Sequence, residues 1–179
     1  MTCAQCTIRC PRGVPIIDVM KAVRGLLVLA NQEPASLHAA TASLASLGNP
    51  WGQAPEKRRE WSEGLGVKRF SAGTGLLYFP CCTSAYDPRA QGIARSTAKV
   101  LQAAGVDFGT LSEGEVCCGE SARKGGSEEL FLKLAQTNIE LFKSSVVTRI
   151  LVSSPHCFHT FKNEYPELGG RFEVVHFTE

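Results

Sequence analysis

The chain has 179 residues, a formal net charge of +2 and 44% hydrophobic residues, a composition typical of a globular protein. The nearly balanced charge, without a basic stripe carrying interleaved aromatic residues, argues against nucleic-acid binding. No apolar run reaches the roughly 18–20 residues that a membrane span needs, and the N-terminus carries no secretory signal pattern. We therefore expect a cytoplasmic protein that meets a membrane only through a partner.

The first 30 residues are predicted to form a partial ferredoxin-type module. They open with Cys3-x-x-Cys6-x-x-x-Cys10-Pro11, which matches the last three cysteines and the proline of the C-x2-C-x2-C-x3-C-P pattern that holds [4Fe–4S] clusters. The first cysteine of that pattern would fall before Met1, so a complete cluster needs a fourth ligand from elsewhere. A zinc site that uses the same three thiols is the alternative.

Two helices and a connector are predicted next. The apolar spacing indicates a helix over residues 14–24, and an Ala/Ser/Leu-rich stretch indicates another over residues 34–47. Residues 31–74 as a whole are interpreted as a helical connector, since their second half is rich in turn-forming and charged residues. We expect this connector to wrap over a surface.

Residues 75–179 alternate strand and helix signals. Strands are predicted at residues 76–79, 106–111, 150–152 and 172–175, with helices at residues 89–104 and 128–143. Strands that alternate with helices of this length predict an α/β fold, with a mainly parallel sheet and flanking helices.

The remaining cysteines follow three of these predicted strands. Cys81 and Cys82 come after the first strand, Cys117 and Cys118 lie beyond the second, and Cys157 follows the third. Ligands of parallel α/β sheets gather beyond the carboxyl ends of the strands, so we expect these thiols to converge. Neighbouring cysteines are poorly placed to bridge each other, and a reducing compartment disfavours disulfides, so metal ligation is favoured.

The surrounding motifs resemble the cysteine-rich CCG domain of heterodisulfide reductase and its relatives. The resemblance covers nearly the whole chain. It is carried by Cys82-Thr83-Ser84-x-Tyr86-Asp87-Pro88-Arg89, Glu115-x-Cys117-Cys118-Gly119-Glu120, Pro155-His156-Cys157-Phe158 and Lys162-Asn163-Glu164-Tyr165-Pro166, together with Asn49-Pro50-Trp51-Gly52 and Arg59-Glu60-Trp61 in the connector.

The resemblance implies an iron–sulfur electron-transfer subunit that passes electrons towards a disulfide or a quinone-linked acceptor. By position it implies cluster ligation by Cys82, Cys117, Cys118 and Cys157. Cys81, where the family often has glycine, is a further candidate ligand. The family's closing Cys-Pro-x-Cys pattern has Ser154 in its first place here, and serine oxygen is a rarer ligand than thiolate, so a cubane and a non-cubane cluster both stay open.

The same resemblance implies redox partner subunits, including a membrane quinone-linked or a flavin subunit. His156, next to Cys157, is a candidate catalytic residue that would donate a hydrogen bond or a proton to a substrate thiolate. Relatives often continue into a second CCG repeat, and we interpret this chain as a fragment of a longer protein.

Two other functions use the same cysteines. The first is a zinc-binding structural or interaction module. The second is a thiol–disulfide enzyme based on Cys117 and Cys118, which is disfavoured because thioredoxin-like sites use C-x-x-C at a helix start. The only C-x-x-C here is Cys3 to Cys6, outside the α/β region.

Overall fold

A computed structural model describes residues 5–179 of the chain. The predicted ligand Cys3 lies outside these residues. In the N-terminal part, helix α1 spans Gln5–Ile8, α2 spans Ile16–Leu29 and α3 spans Ala35–Leu47. The two longer helices confirm the predicted helical stretches, and α2 continues five residues beyond the predicted end.

The connector contributes to the core as well as to the surface. A 3₁₀ helix spans Pro55–Ser62, and its side chains Arg58 and Trp61 are buried. The Trp61 ring packs edge-on against Tyr78, with the ring centroids 5.5 Å apart. The prediction of a segment that wraps over a surface was therefore incomplete, because Arg58 and Trp61, one 3₁₀ turn apart, lie on a face of this helix that points inward.

The C-terminal part contains a four-stranded, all-parallel sheet in the order β2-β1-β3-β4. Its strands are β1 at Leu76–Phe79, β2 at Phe108–Gly109, β3 at Arg149–Val152 and β4 at Glu173–His176. This sheet confirms the predicted α/β class. Strand β2 is shorter than predicted, because the chain at Thr110 leaves β1 and pairs through a single bridge with Arg69.

Helices connect and flank these strands. They are α4 at Cys82–Tyr86, α5 at Gln91–Ala103, α6 at Glu120–Gly125, α7 at Glu128–Ser144 and α8 at Pro155–His159. A π-helical turn at Thr160–Glu164 and a 3₁₀ turn at Tyr165–Leu168 follow α8. All four residues of β1 are buried, as expected for a central strand that is covered on both faces.

Aromatic rings fill the space beneath the carboxyl end of β1. Phe142 from α7 meets Phe79, Phe161 and Phe172 edge-to-face, with centroids 6.0, 5.8 and 5.5 Å away. Edge-to-face pairs stabilise a core beyond the area they bury. These packed rings support the loops that follow the strands.

We expect the substitution Phe142→Ala to lower the free energy of unfolding by about 3–5 kcal/mol, because it leaves a cavity among three rings. Guanidinium-induced unfolding followed by circular dichroism would measure the change. The matched control is Phe177→Ala, whose ring is 48% exposed and whose loss should cost far less. Equal unfolding midpoints for the two variants would contradict this account of the core.

Candidate functional site

Five thiols meet where neighbouring strands of the sheet end. Cys81 and Cys82 follow β1, and Cys157 lies in α8 just after β3. The strands β1 and β3 pair in register, with Phe79 opposite Val152, so their carboxyl ends lie side by side. The loop between β2 and α6 adds Cys117 and Cys118.

The thiols form a continuous row. The Sγ atoms of Cys118 and Cys157 lie 3.5 Å apart. Side-chain contacts also link Cys82 with Cys117, Cys117 with Cys118, and Cys157 with Cys81. The structure thus brings together the five thiols that were predicted to converge, with Cys81 at one end of the row. Their role as ligands stays a prediction.

Mutual contact and burial hold most of this row in the protonated state. The contact with Cys117, reinforced by burial, raises the pKa of Cys82 well above its ordinary value. The contact with Cys118 raises the pKa of Cys117 to about 12. By contrast, the side-chain contact with Cys157 lowers the pKa of Cys81 to about 5. Adjacent thiols cannot all ionise together, so binding of a cation at the row would release protons.

Buried polar groups fix the loop that carries Cys117 and Cys118. The Asn138 amide donates to the Cys117 carbonyl at 3.1 Å and to the Val116 carbonyl at 3.2 Å. It also accepts from the Val116 N–H at 3.1 Å. The Tyr165 hydroxyl donates to the Cys118 carbonyl at 3.1 Å. These bonds satisfy backbone groups that are shielded from solvent and hold the loop that carries both thiols.

Gly119 explains why glycine ends the Cys-Cys-Gly motif. Its φ is +88°, in the left-handed region, and an added Cβ would come 2.8 Å from Cδ2 of Phe131. Glycine is the residue that tolerates both conditions. The backbone can therefore turn sharply into α6 directly after the second cysteine.

Sequence reasoning missed Arg58, which lies beside the row. Its side chain is 1% exposed and forms an ion pair with the buried Glu115, from Nε to Oε2 at 2.9 Å. Its Nη1 is 3.6 Å from the Cys82 Sγ. Burial alone would lower the Arg58 pKa, but attraction to Glu115 and Cys82 raises it overall. Nothing in the local sequence indicates that Arg58 is buried, because it lies in a charged segment typical of a surface.

His156 lies at the rim of a cleft of about 500 Å³ between the N-terminal helices and the loops of the thiol row. Its imidazole is 55% exposed, and its Nδ1 is 3.1 Å from Oε1 of Glu120. The cleft is lined by Thr7, Ile17, Asp18 and Lys21 on one side and by Glu120, Lys124, Pro155, His156 and His159 on the other. Ser154 lies at the start of α8, where its carbonyl accepts from the Phe158 N–H at 2.9 Å.

The N-terminal cysteines differ from this row in their exposure to solvent. Cys6 is exposed and Cys10 is partly buried. The backbone N–H groups of Val14 and then Arg12 lower the pKa of the Cys10 thiol. The N-terminal part packs directly on the α/β part, since Nη1 of Arg24 donates to the Lys124 carbonyl at 2.8 Å.

Two absences hold for residues 5–179. No group of three or more His, Cys, Asp or Glu side chains is arranged there to hold a metal ion. No helix in the same part of the chain combines the length and apolar character of a membrane span. A row of thiols in pairwise contact nevertheless fits an iron–sulfur cluster in donor type, because such a cluster takes thiolates on several irons.

Comparison with known proteins places this site in a family. Residues 76–162 match the family CCG, cysteine-rich domain. This region is a CCG cysteine-rich domain. All five thiols of the row lie within the CCG domain, and the predicted resemblance is confirmed. The comparison with solved structures found no significant match.

Curated relatives match along nearly the whole chain. An EtfAB:quinone oxidoreductase of Syntrophomonas wolfei is 33% identical over 99% of the chain and 26% of its own length. A probable iron-sulfur-binding oxidoreductase, FadF, of Bacillus subtilis is 35% identical over 99% of the chain and 27% of its own length. A component of the dihydromethanophenazine:CoB–CoM heterodisulfide reductase of Methanosarcina barkeri is 29% identical over 99% of the chain and 44% of its own length. The chain therefore spans less than half of these relatives.

In metal-free protein we expect Cys81 to be the first thiol of the row to react with iodoacetamide. Because the pKa of Cys81 is lowered to about 5, its thiolate is formed above that pH, and its alkylation rate should level off before pH 7. Mass spectrometry of peptides after brief labelling between pH 4 and pH 8 would check this. Preferential labelling of Cys117, whose pKa is raised to about 12, would contradict it.

We expect Asn138→Ala to lower the free energy of unfolding by about 1–3 kcal/mol, because it leaves buried carbonyl and amide groups without partners. Chemical unfolding followed by circular dichroism would measure this. The control is Asn163→Ala, since Asn163 bonds only the exposed His159 ring at 3.1 Å among the described side chains. A loss as small as that of the control would show that the Asn138 bonds do not hold the loop.

Proposed function

We propose that this chain is an iron–sulfur electron-transfer subunit of a heterodisulfide-reductase-like oxidoreductase. The observation that carries the proposal is the row of five thiols inside a CCG cysteine-rich domain. Thiolates are the donors that iron–sulfur clusters use. The names of the relatives, an EtfAB:quinone oxidoreductase and a heterodisulfide reductase component, support a role in electron transfer.

We assign cluster binding at the sheet edge to Cys82, Cys117, Cys118 and Cys157, with Cys81 as a further ligand. A bound cluster would accept and release electrons. The protein supplies a dry site and ligand loops held by backbone hydrogen bonds, so little would rearrange when the charge changes. Four of these thiols are buried, which keeps water from the site.

We assign a second, ferredoxin-type [4Fe–4S] cluster to Cys3, Cys6 and Cys10, with a fourth ligand from outside this motif. The backbone N–H groups near Cys10 that lower its thiol pKa would stabilise a thiolate ligand there. This assignment divides the chain into a partial ferredoxin module at 1–30, a connector at 31–74 and the CCG domain at 75–179. The packing of α2 on α6 would bring the two redox centres into one path.

We propose that the acceptor is a disulfide or a quinone-linked group and that partner subunits, one of them a flavin or membrane quinone-linked subunit, supply or remove the electrons. In this scheme His156, exposed at the cleft and oriented by Glu120, would hold a proton for a substrate thiolate. The protein would act in the cytoplasm and reach a membrane only through a partner.

Protein purified without oxygen should be brown and contain iron and acid-labile sulfide in equal amounts. We expect Cys157→Ser to remove the iron of the CCG site and Cys10→Ser to remove that of the N-terminal site. Each variant is the control for the other, and electron paramagnetic resonance of the reduced protein would tell the two signals apart. A colourless protein with stoichiometric zinc would establish the alternative, a zinc-binding module.

A further inference from the structure

Arg58 is buried against the proposed ligand Cys82 by a set of contacts that fix its guanidinium in one place. Its Nε donates to Oε2 of Glu115 at 2.9 Å, and its Nη2 donates to the Pro80 carbonyl at 3.0 Å. The guanidinium carbon lies 4.7 Å from the ring centroid of Phe79. The remaining direction of the planar group points Nη1 at the Cys82 Sγ, 3.6 Å away.

Burying two charged side chains costs folding free energy, which suggests that the charges have a role beyond stability. The side chains of Arg58 and Glu115 are 1% and 0% exposed, and buried ion pairs commonly contribute little to stability in comparison with apolar residues. The second carboxylate oxygen of Glu115, Oε1, is buried without a hydrogen-bond partner among the described residues. Glu115 therefore accepts from the guanidinium through only one of its oxygens, and the Nη1 group of Arg58 remains directed at the Cys82 sulfur.

We propose that Arg58 is a positioning residue for the cluster at the thiol row. It donates a hydrogen bond to the Cys82 sulfur and places a fixed positive charge beside the negative cluster, so that the cluster is easier to reduce. Glu115 and the Pro80 carbonyl hold the guanidinium at that angle. This inference rests on the proposed function, since it requires a cluster on Cys82.

Hydrogen bonds to ligand sulfur and nearby charge are established means by which proteins set cluster potentials. A bond to sulfur withdraws electron density from the metal, and a neighbouring cation stabilises the reduced form, which carries one more negative charge. Both effects have the same sign here. Lysine would keep the positive charge, but its single ammonium group lacks the planar set of donors that reaches Glu115, Pro80 and Cys82 together.

The chain contains a matched pair for comparison. Arg59 and Glu113 form an ion pair at 3.4 Å, but their side chains are 61% and 57% exposed. The variants to compare are Arg58→Met combined with Glu115→Gln, which removes both buried charges together, and Arg59→Met combined with Glu113→Gln. The cluster-loaded protein is titrated by electron paramagnetic resonance at controlled potential.

We expect the buried double variant to show at least a tenfold smaller ratio of reduced to oxidised CCG cluster at a fixed potential, which equals about 59 mV for a one-electron couple. Its electron–nuclear double resonance spectrum should also lose an exchangeable proton coupled to the cluster. The exposed double variant should match the wild type in both measurements. A purely structural role for Arg58 would leave potential and proton coupling unchanged in variants that retain the cluster.

Wild-type potential and proton coupling in the buried double variant would overturn the inference. If that variant does not fold, as judged by circular dichroism, Arg58→Lys replaces it, because it keeps the charge opposite Glu115. We expect Arg58→Lys to lose the coupled proton, and retention of that signal would equally overturn the inference. A wild-type protein without iron would instead refute the proposed function itself.

Discussion

The site depends on one constraint, that parallel strands paired in register end at the same edge of a sheet. Phe79 at the end of β1 lies opposite Val152 at the end of β3. The residues that follow each strand must therefore emerge side by side. This brings Cys81 and Cys82 within reach of Cys157 although they are separated by more than 70 residues in the chain. No local preference of the intervening helices could produce that contact.

Some core residues beneath this edge of the sheet also contact the side chains and loops of the thiol row. Phe79 packs against Phe142 and Phe161, and it also lies under the Arg58 guanidinium. One ring thus joins the aromatic core to the charged group beside Cys82. The Asn138 amide does the same on the other side, since it ties a core helix to the Cys117 backbone. Residues that stabilise the fold are in this way the residues that orient the thiols.

The N-terminal helices pack against the part of the CCG domain that follows the Cys-Cys-Gly motif. Arg24 of α2 bonds the carbonyl of Lys124 in α6, and α6 begins directly after Gly119 of the Cys-Cys-Gly motif. The cleft that contains His156 opens between these same elements. The cleft thus separates the N-terminal helices from the loops that carry the thiol row.

The sequence by itself determined the α/β class, the long helices and the strands that the cysteines follow. These features are local: periodic apolar residues specify helices and strands, and cysteines within a few residues of a strand end must appear at that edge. The recognisable motifs also determined the family. Cys81 could be placed near the site in the same way, but its contact with Cys157 could not.

Only the tertiary structure decided which side chains complete the site. Arg58 comes from a charged segment with the pattern of a surface connector, yet it is buried against Glu115, 57 positions away in sequence. Asn138 and Tyr165 lie on different elements and meet at the Cys117–Cys118 loop. Burial and partner choice of polar side chains arise from contacts between distant segments, and a polar residue has the same local pattern whether it faces water or a partner in the core.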